Sequence, residues 1–421
     1  MNILRNPNSS QLAQALTRPL ADDPVTRQRV KAILDDVKAN GDDAILRLNR
    51  EIDRYDSPYL EISRQEMVAA AALVSGELKD SLHLAIRNIE KFHSAERPAD
   101  ITMETMPGVT CTFRTLPYER VGLYIPGGTA PLLSTIAMLA VPARVAGCRE
   151  VVICTPPNPI PELLYALSLF DARVFQVGGA QAIAAMAFGT STIPRVDKIF
   201  GPGNRYVTEA KMQVSALGVP IDMPAGPSEV LVIADHTARP SFVAADLLSQ
   251  AEHGADSQVI LVTTSEQLIA DALTEVKRQV EKLPRRDTAL KCLESSTAIL
   301  VQTLAQAMEV SNQYAPEHLI LAVDNPHKLA RGIRHAGSVF MGHYTPESVG
   351  DYTSGTNHTL PTAGFARSWS GVSLLSFLRT ITFQELTPQG LQSLQAATTC
   401  LARAEGLEAH ARAVEVRGEE P

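Results

Sequence analysis

Short apolar segments alternate with helical stretches from residue 121 onward. A first series contains VGLYIP, EVVICT, ARVFQV and DKIF and closes with EVLVIAD, and a second contains SQVILVT, TAILV, HLILAV and GSVFMG. Continuous apolar segments of this length are typical of parallel strands, because helices cover both faces of a parallel sheet. The alternation therefore predicts an α/β fold, and its two series predict two α/β domains.

Different patterns occupy the flanking regions. The apolar residues of VTRQRVKAILDDVKAN have helical spacing, with Gly41 as the stop, and ITMETMPGVTCTFRT alternates around a Pro107–Gly108 turn as a β-hairpin does. A polar, Gly-rich loop covers residues 342–364, and the chain ends in helical sequence. We therefore expect a helical N-terminal segment contributing to the first α/β domain, then that domain, a second α/β domain and a helical tail. Their predicted ranges are 1–110, 111–236, 237–380 and 381–421.

Composition excludes several classes of protein. The net charge of −8, without a Lys/Arg run, argues against a general nucleic-acid-binding protein. The opening residues lack the apolar core of a secretory signal, and the most apolar stretch is interrupted by Pro142 and Arg144. Five scattered cysteines without a CxxC pair indicate reduced thiols. These features predict a cytoplasmic protein without a membrane segment.

The segment DLLSQAEHGADSQ, residues 246–258, places Asp246, Gln250 and His253 along one helical face. Gly254 follows where a helix usually stops. The stripe is typical of a metal or substrate site, and equally of the solvated side of a surface helix. Spacing alone does not select Gln250 over Asp246, whose carboxylate is the stronger ligand.

Three glycine-rich turns lie between a predicted strand and a predicted helix: YIPGGTAP (124–131), VGGAQA (177–182) and FGPGN (200–204). Free backbone N–H groups at such turns can bind an anion. None has the GxGxxG or Walker pattern, so the pattern alone favours three tight strand-to-helix turns. The turns favour a phosphate-bearing ligand only weakly.

Further polar residues could complete a site. Glu317 and His318 in YAPEHL form a possible acid/base pair, and Asp351 follows a glycine in the polar loop. Glu405 and His410 are five residues apart in the last helical stretch, a poor spacing for one helical face. Taken singly, the Glu–His dipeptide is more typical of a solvated loop and the tail residues of a solvated helical face. The side chain of Asp351 could equally bond the backbone of its own loop. Together, His253, Asp351 and His410 could bind a metal with Gln250 as an oxygen donor, although glutamine is an unusual zinc ligand.

Several long motifs occur in one order along nearly the whole chain: RVGLYIPGGTAP, VGGAQAIAAMAFG, GPGN, PAGPSEVLVIAD, DLLSQAEHGADSQV, YAPEHL, GDYTSGTNHTLPT and EGLEAHARAV. Together they resemble the histidinol dehydrogenase family. The resemblance implies two Rossmann-like, incomplete parallel-sheet domains, the first carrying NAD-contacting turns and the second the metal and acid/base residues.

The resemblance also implies a role for each matching residue. The zinc ligands fall on Gln250, His253, Asp351 and His410, and the acid/base pair falls on Glu317 and His318. Substrate contacts fall on Ser228 and Glu405, besides His318 and the metal ligands. NAD contacts fall on Tyr124, Gln181 and Asn204.

The implied activity is a zinc- and NAD-dependent, four-electron oxidation of L-histidinol to L-histidine through L-histidinaldehyde, which completes histidine biosynthesis. His318 would remove the proton in each oxidation, and Glu317 would assist the addition of water to the aldehyde. The family forms homodimers with shared active sites, so Glu405 and His410 of the tail are expected to act on the partner's site, with one zinc per subunit. The alternatives are a related zinc- and NAD-dependent dehydrogenase of another small alcohol, such as a sulfonated diol, a metal-dependent hydrolase, and a non-catalytic metal-binding scaffold.

Overall fold

The computed structural model describes residues 1–18, 23–127, 132–224 and 226–419. Its strands are β1 (Asn2–Arg5), β2 (Glu61–Ile62), β3 (Ile101–Met106), β4 (Val109–Pro117), β5 (Arg120–Tyr124), β6 (Glu150–Thr155), β7 (Arg173–Gln176), β8 (Lys198–Phe200), β9 (Glu229–Ala234), β10 (Gln258–Thr263), β11 (Thr297–Leu300), β12 (His318–Ala322), β13 (Ser338–Met341) and β14 (Leu378–Leu386). They form sheets of five, six and three strands.

Helices separate most of these strands. They are α1 (Ser9–Ala15), α2 (Pro24–Ile52), α3 (Arg64–Ala69), α4 (Gly76–Ala95), α5 (Leu133–Ala146), α6 (Pro161–Ser168), α7 (Gly179–Phe188), α8 (Arg205–Ala216), α9 (Pro240–Ala251), α10 (Glu266–Val280), α11 (Arg286–Glu294), α12 (Leu304–Tyr314), α13 (Pro326–Ala330), α14 (Glu347–Tyr352), α15 (Pro388–Ala404) and α16 (Glu408–Glu419). Gly41 interrupts α2 with φ +53°, so the predicted stop is a break between two helical halves. Within the residues described above, no helix is both long enough and apolar enough to cross a membrane.

The five-stranded sheet has the order β2-β7-β6-β5-β8, and β2 is its antiparallel edge strand. The other strands are parallel, and their order β7-β6-β5-β8 follows the 3-2-1-4 order of a Rossmann sheet. Alternate residues of each strand face opposite sides. Val151 and Ile153 pack with helices α4 to α6, whereas Val152 and Cys154 pack with α2, α7 and α8. Both faces are therefore buried, as the continuous apolar segments predicted.

The six-stranded sheet is fully parallel, with the order β1-β11-β10-β9-β12-β13. Five of these strands repeat the Rossmann order, now as 3-2-1-4-5, and β1 extends the edge. Val230 and Val232 face α9, α10 and α11, whereas Leu231 and Ile233 face α12. The predicted α/β fold with two parallel sheets is confirmed.

Two strand assignments need correction. The segment EVLVIAD was expected to close the first sheet, but β9 lies in the middle of the second, between β10 and β12. The N-terminal segment also contributes β1 to that second sheet. Apolar character identifies a strand as buried, but the pairing partners depend on connections that a local pattern does not contain. The division between the two sheets falls between Phe200 and Glu229.

A small antiparallel sheet of order β14-β4-β3 stands apart from both parallel sheets. β3 and β4 form the predicted hairpin around Pro107–Gly108, where Gly108 has φ +78°. The third strand, β14, overlaps the start of the predicted tail, so the helices of the tail begin only at Pro388. Several apolar side chains of this three-stranded sheet are exposed: Ile101, Met103, Phe113 and Phe383.

Candidate functional site

The three predicted NAD-contacting residues lie at the carboxyl ends of strands in the five-stranded sheet. Tyr124 is the last residue of β5, Gln181 lies in the first turn of α7 after β7, and Asn204 precedes α8 after β8. Because β5 and β8 are adjacent but their connections lead to opposite faces, a crevice opens at this point of the sheet. Open α/β sheets bind their ligands in such crevices.

Each of these side chains also makes a hydrogen bond within the fold. The Tyr124 hydroxyl accepts a hydrogen bond from the Gly179 N–H at 3.0 Å, and burial raises the pKa of this phenol to about 12. The buried Gln181 amide donates to Asp53 at 3.3 Å. Asn204 caps α8 by accepting from the N–H groups of Tyr206 and Val207.

A buried ion pair shapes the GPGN turn, which the sequence alone did not indicate. Lys211 pairs with Asp222, and both side chains are almost fully buried. The Asp222 carboxylate accepts from the Gly201 N–H at 2.8 Å, and Lys211 Nζ donates to the Gly201 carbonyl at 2.8 Å. Gly201 has φ +124°, and a Cβ there would lie 2.1 Å from the Tyr124 carbonyl oxygen. Only glycine therefore fits where the turn crosses β5.

Two of the predicted metal ligands and the predicted acid/base pair meet at the amino ends of the strands of the six-stranded sheet. Helix α9 leaves the carboxyl end of β9 and runs back, so Gln250 and His253 return to the amino ends of the strands. Glu317 directly precedes β12, which His318 opens beside β9. Asp351 comes from the short helix α14 inside the region expected to be an irregular loop. A Cβ on Gly350 would lie 2.5 Å from the Phe340 ring, so this glycine lets α14 pack on the sheet.

His318 is the centre of this cluster. Its Nδ1 lies 2.7 Å from Gln250 Nε2, 3.1 Å from the Glu229 carbonyl oxygen and 3.5 Å from Glu317 Oε2. Its Nε2 lies 3.4 Å from Asp351 Oδ1. The ring therefore turns Nδ1 toward the backbone of Glu229 and the Gln250 amide, and Nε2 toward Asp351.

Carboxyl groups dominate the electrostatics of the cluster. Burial opposes protonation of His318, but the charges of Glu317 and Asp351 outweigh it and raise the pKa of the imidazole well above its usual value. Burial also acts to raise the pKa of Asp351, but its contact with His318 holds that pKa below the usual range. Burial raises the pKa of Glu347 to about 8.

Three buried polar atoms of the cluster have no hydrogen-bond partner among the residues that the structure describes: Gln250 Oε1, His318 Nε2 and Glu347 Oε2. A buried polar atom without a partner is costly and usually marks a place for a ligand, ion or water. Imidazole nitrogens and a carboxylate are common donors for Zn²⁺, and the amide oxygen of Gln250 would be an unusual additional one. The donor chemistry of Gln250, His253 and Asp351 therefore fits the metal that the sequence implied.

A single chain does not assemble the whole predicted site. In the described part of the chain, no group of three or more His, Cys, Asp or Glu side chains is placed to hold a metal. His410 therefore does not join His253 and Asp351 within one subunit. His253, Glu405 and His410 are exposed, and Ser228 is partly buried just before β9. The structure thus unites Gln250, Glu317, His318 and Asp351 and leaves the residues of the tail apart.

Comparison with known proteins decides the family. The histidinol dehydrogenase family model matches residues 16–418. The chain belongs to the histidinol dehydrogenase family. It is therefore an oxidoreductase of histidine biosynthesis, which favours the dehydrogenase over the hydrolase and scaffold alternatives.

Individual relatives of this family match along nearly the whole chain. A histidinol dehydrogenase of Bacteroides thetaiotaomicron is 53% identical over 422 residues, covering 99% of each chain. One from Escherichia coli O157:H7 is 52% identical over 414 residues, covering 97% of this chain and 95% of the relative. The crystal structure of histidinol dehydrogenase from Elizabethkingia anophelis matches with a TM-score of 0.95 and 48% identity, covering 99% of this chain and 98% of the other.

Two buried acidic residues of the site were not identified from the sequence. Glu229 follows Ser228 and joins the acid/base pair through its backbone. Glu347 precedes Asp351 by four residues in α14, so the two carboxylates share a helical face. This spacing could have identified Glu347 from the sequence, whereas no local sequence pattern indicates that Glu229 is buried.

Asp246, which spacing alone could not separate from Gln250, lies partly buried near Glu347. Burial raises the pKa of Asp246 to about 7. As the pH rises, the Asp246 carboxyl ionises in the unfolded chain before it ionises in the folded one. Its contribution to the free energy of unfolding is therefore fully present below about pH 4 and is lost as the pH rises through about 7. We expect Asp246→Asn to raise the free energy of unfolding of the metal-free protein near pH 8, by at most about 4 kcal/mol.

Urea unfolding across this pH range measures the difference. The gain in the free energy of unfolding from Asp246→Asn should vanish near pH 4, because the wild-type carboxyl is then largely protonated in both the folded and the unfolded chain. Asp56→Asn, at a carboxylate whose side chain is 82% exposed, is the control. An increment for Asp246→Asn that is independent of pH would contradict the assignment.

Proposed function

We propose that this protein oxidises L-histidinol to L-histidine through L-histidinaldehyde, with zinc in each subunit and NAD⁺ as the electron acceptor. The observation that carries the proposal is the buried Glu317–His318 pair beside Gln250 and Asp351, where buried polar atoms lack a hydrogen-bond partner within the described residues. Family membership supplies the reaction class.

Gln250, His253 and Asp351 would hold the zinc together with His410 of the tail. Zinc bound there would supply a template that orients the imidazole and amine of the substrate. One carboxylate and three neutral ligands leave it with a formal charge of about +1. Glu405 would accept the other ring N–H of the substrate, which selects an imidazole over other small alcohols. Ser228 lies beside Glu229 at the same edge of the sheet and would make a further substrate contact.

His318 and Glu317 would divide the proton transfers between them. His318 Nε2 takes the hydroxyl proton of the alcohol in the first oxidation and a proton of the hydrated aldehyde in the second. Glu317 lies 3.5 Å from His318 and assists the addition of water to the aldehyde between the two oxidations. NAD⁺ would accept one hydride in each oxidation.

Tyr124, Gln181 and Asn204 are proposed to contact that NAD⁺. They converge on the crevice at the carboxyl edge of the five-stranded sheet, and the Lys211–Asp222 pair holds the adjacent GPGN turn. Free cysteines throughout support a reducing compartment, and we propose the cytoplasm.

A homodimer would complete the site. Glu405 caps the end of α15, and His410 lies in α16; both are exposed, and within the described residues His410 forms no metal-binding group with His253 and Asp351. The tail and the small sheet also expose large apolar side chains, Leu401 and Met103 among them. Exposed apolar surface of this kind supports burial against a second subunit.

An assay with L-histidinol tests the activity. Zinc-loaded protein should form two NADH for each L-histidinol, because two hydrides leave the substrate. A chelator should abolish this, and zinc should restore it. Sulfonated diols serve as control substrates. Absence of NADH formation from L-histidinol by zinc-loaded protein would defeat the proposal.

Glu317→Gln tests the separate role of the carboxylate. The amide keeps the shape of the side chain but cannot act as a base, so oxidation of added L-histidinaldehyde should slow by about 100- to 10,000-fold. Reduction of the aldehyde to L-histidinol with NADH should persist, because it needs only His318. Aldehyde oxidation at the wild-type rate would show that Glu317 does not assist water.

Complementation tests the shared site. A subunit truncated before residue 388 lacks Glu405 and His410, and a His318→Ala subunit lacks the base, so each homodimer should be inactive. A heterodimer would contain one complete site, and tagged, purified heterodimers should regain about half of the wild-type rate if sites act independently. Confirmed heterodimers without activity would count against a site completed by the partner.

A further inference from the structure

Glu229 is buried between the N-terminal segment and the acid/base pair. Its carboxylate accepts two hydrogen bonds from Arg18, at 2.5 Å from Nε and 2.9 Å from Nη2. The Ala363 N–H donates to the same carboxylate at 2.8 Å. A bidentate guanidinium and a backbone N–H together fix both oxygens, so the side chain has no freedom to turn.

Arg18 is itself held in place. Its Nη2 donates to the Tyr314 carbonyl at 2.7 Å, and its guanidinium lies 3.9 Å from the centre of the Tyr314 ring. The Tyr314 hydroxyl donates to Gln258 at 2.9 Å, and Gln258 is the neighbour of Glu229 in the sheet. Tyr314 and Gln258 thus connect Arg18 to the same sheet that contains Glu229.

The backbone of Glu229 contacts the residues proposed to do the chemistry. Its N–H donates to Glu317 Oε2 at 2.8 Å. Its carbonyl oxygen lies 3.1 Å from His318 Nδ1 and 3.4 Å from Gln250 Nε2. The backbone of Glu229 therefore positions the Glu317 carboxylate and orients the His318 imidazole.

We propose that Glu229, clamped by Arg18, is a positioning residue that holds Glu317 and His318 in register for proton transfer. The carbonyl of Glu229 contacts Nδ1 of His318 and so orients the ring with Nε2 toward Asp351. The N–H of Glu229 keeps Glu317 beside the imidazole. This inference rests on the proposed function, because the acid/base roles come from it.

The test separates positioning from stability. Arg18→Met and Glu229→Met each leave one buried charge unpaired and should destabilise the fold. The double variant Arg18→Met/Glu229→Met removes both charges, and such replacements of a buried pair are often neutral or stabilising. Arg5→Met/Glu266→Met is the matched control, because it removes an exposed ion pair between the N-terminal segment and α10.

Steady-state kinetics of the zinc-loaded double variant give the first readout. We expect kcat to fall about 10- to 100-fold, as for a small displacement of reacting groups, with unchanged KM for L-histidinol and NAD⁺. Zinc affinity should be unchanged, and the control should keep wild-type kcat. A stably folded double variant with wild-type kcat would show that the pair acts only on stability, and a changed KM with unchanged kcat would show a binding role. Either result overturns the inference.

The second readout does not depend on activity. In ¹⁵N-histidine-labelled, zinc-loaded protein, the ring-nitrogen shifts of His318 should differ between the wild type and the double variant, because the contact of Nδ1 with the Glu229 carbonyl is part of the ring's surroundings. His318→Gln assigns the signal, and the Arg5→Met/Glu266→Met control should keep the wild-type shifts. Identical His318 shifts in the wild type and the double variant would overturn the inference even where histidinol oxidation is established. If the shifts change but the wild type does not oxidise histidinol, the proposed function alone is refuted.

Discussion

Burial of several carboxyl groups around one imidazole is the constraint on which this site depends. Glu229, Glu317 and Glu347 are buried and Asp351 is largely so, all close to His318. A buried charge is costly unless it is paired. Arg18 pairs with Glu229, but among the described side chains only His318 forms an ion pair with Glu317 or Asp351. The cluster therefore favours an added cation, and the proposed zinc would supply this positive charge.

The two sheets share a strand order but use opposite edges. The proposed NAD crevice lies at the carboxyl edge of the five-stranded sheet, where such folds usually bind ligands. The acid/base cluster lies at the amino edge of the six-stranded sheet, because α9 runs back along β9 and brings Gln250 to that edge. The reaction proposed here needs both, since hydride must pass from a substrate at one edge to a cofactor at the other.

Much of the fold follows from short-range patterns. Continuous apolar strands, the break at Gly41 and the hairpin at Pro107–Gly108 are local, and each was predictable. The placement of β9 was not, because EVLVIAD is equally apolar in either sheet. Pairing depends on how the connections cross the sheet, which no window of sequence contains.

The sequence by itself determined the chemistry available: motif order indicated the family and the residue types for metal, acid/base and cofactor contacts. Only the tertiary structure decided which of these residues meet. It joined Gln250, Glu317, His318 and Asp351, left His410 outside the cluster of its own chain, and added Glu229 and Glu347. The physical reason is that spacing fixes a residue's face on its own helix or strand, whereas burial and charge pairing arise only when distant segments pack together.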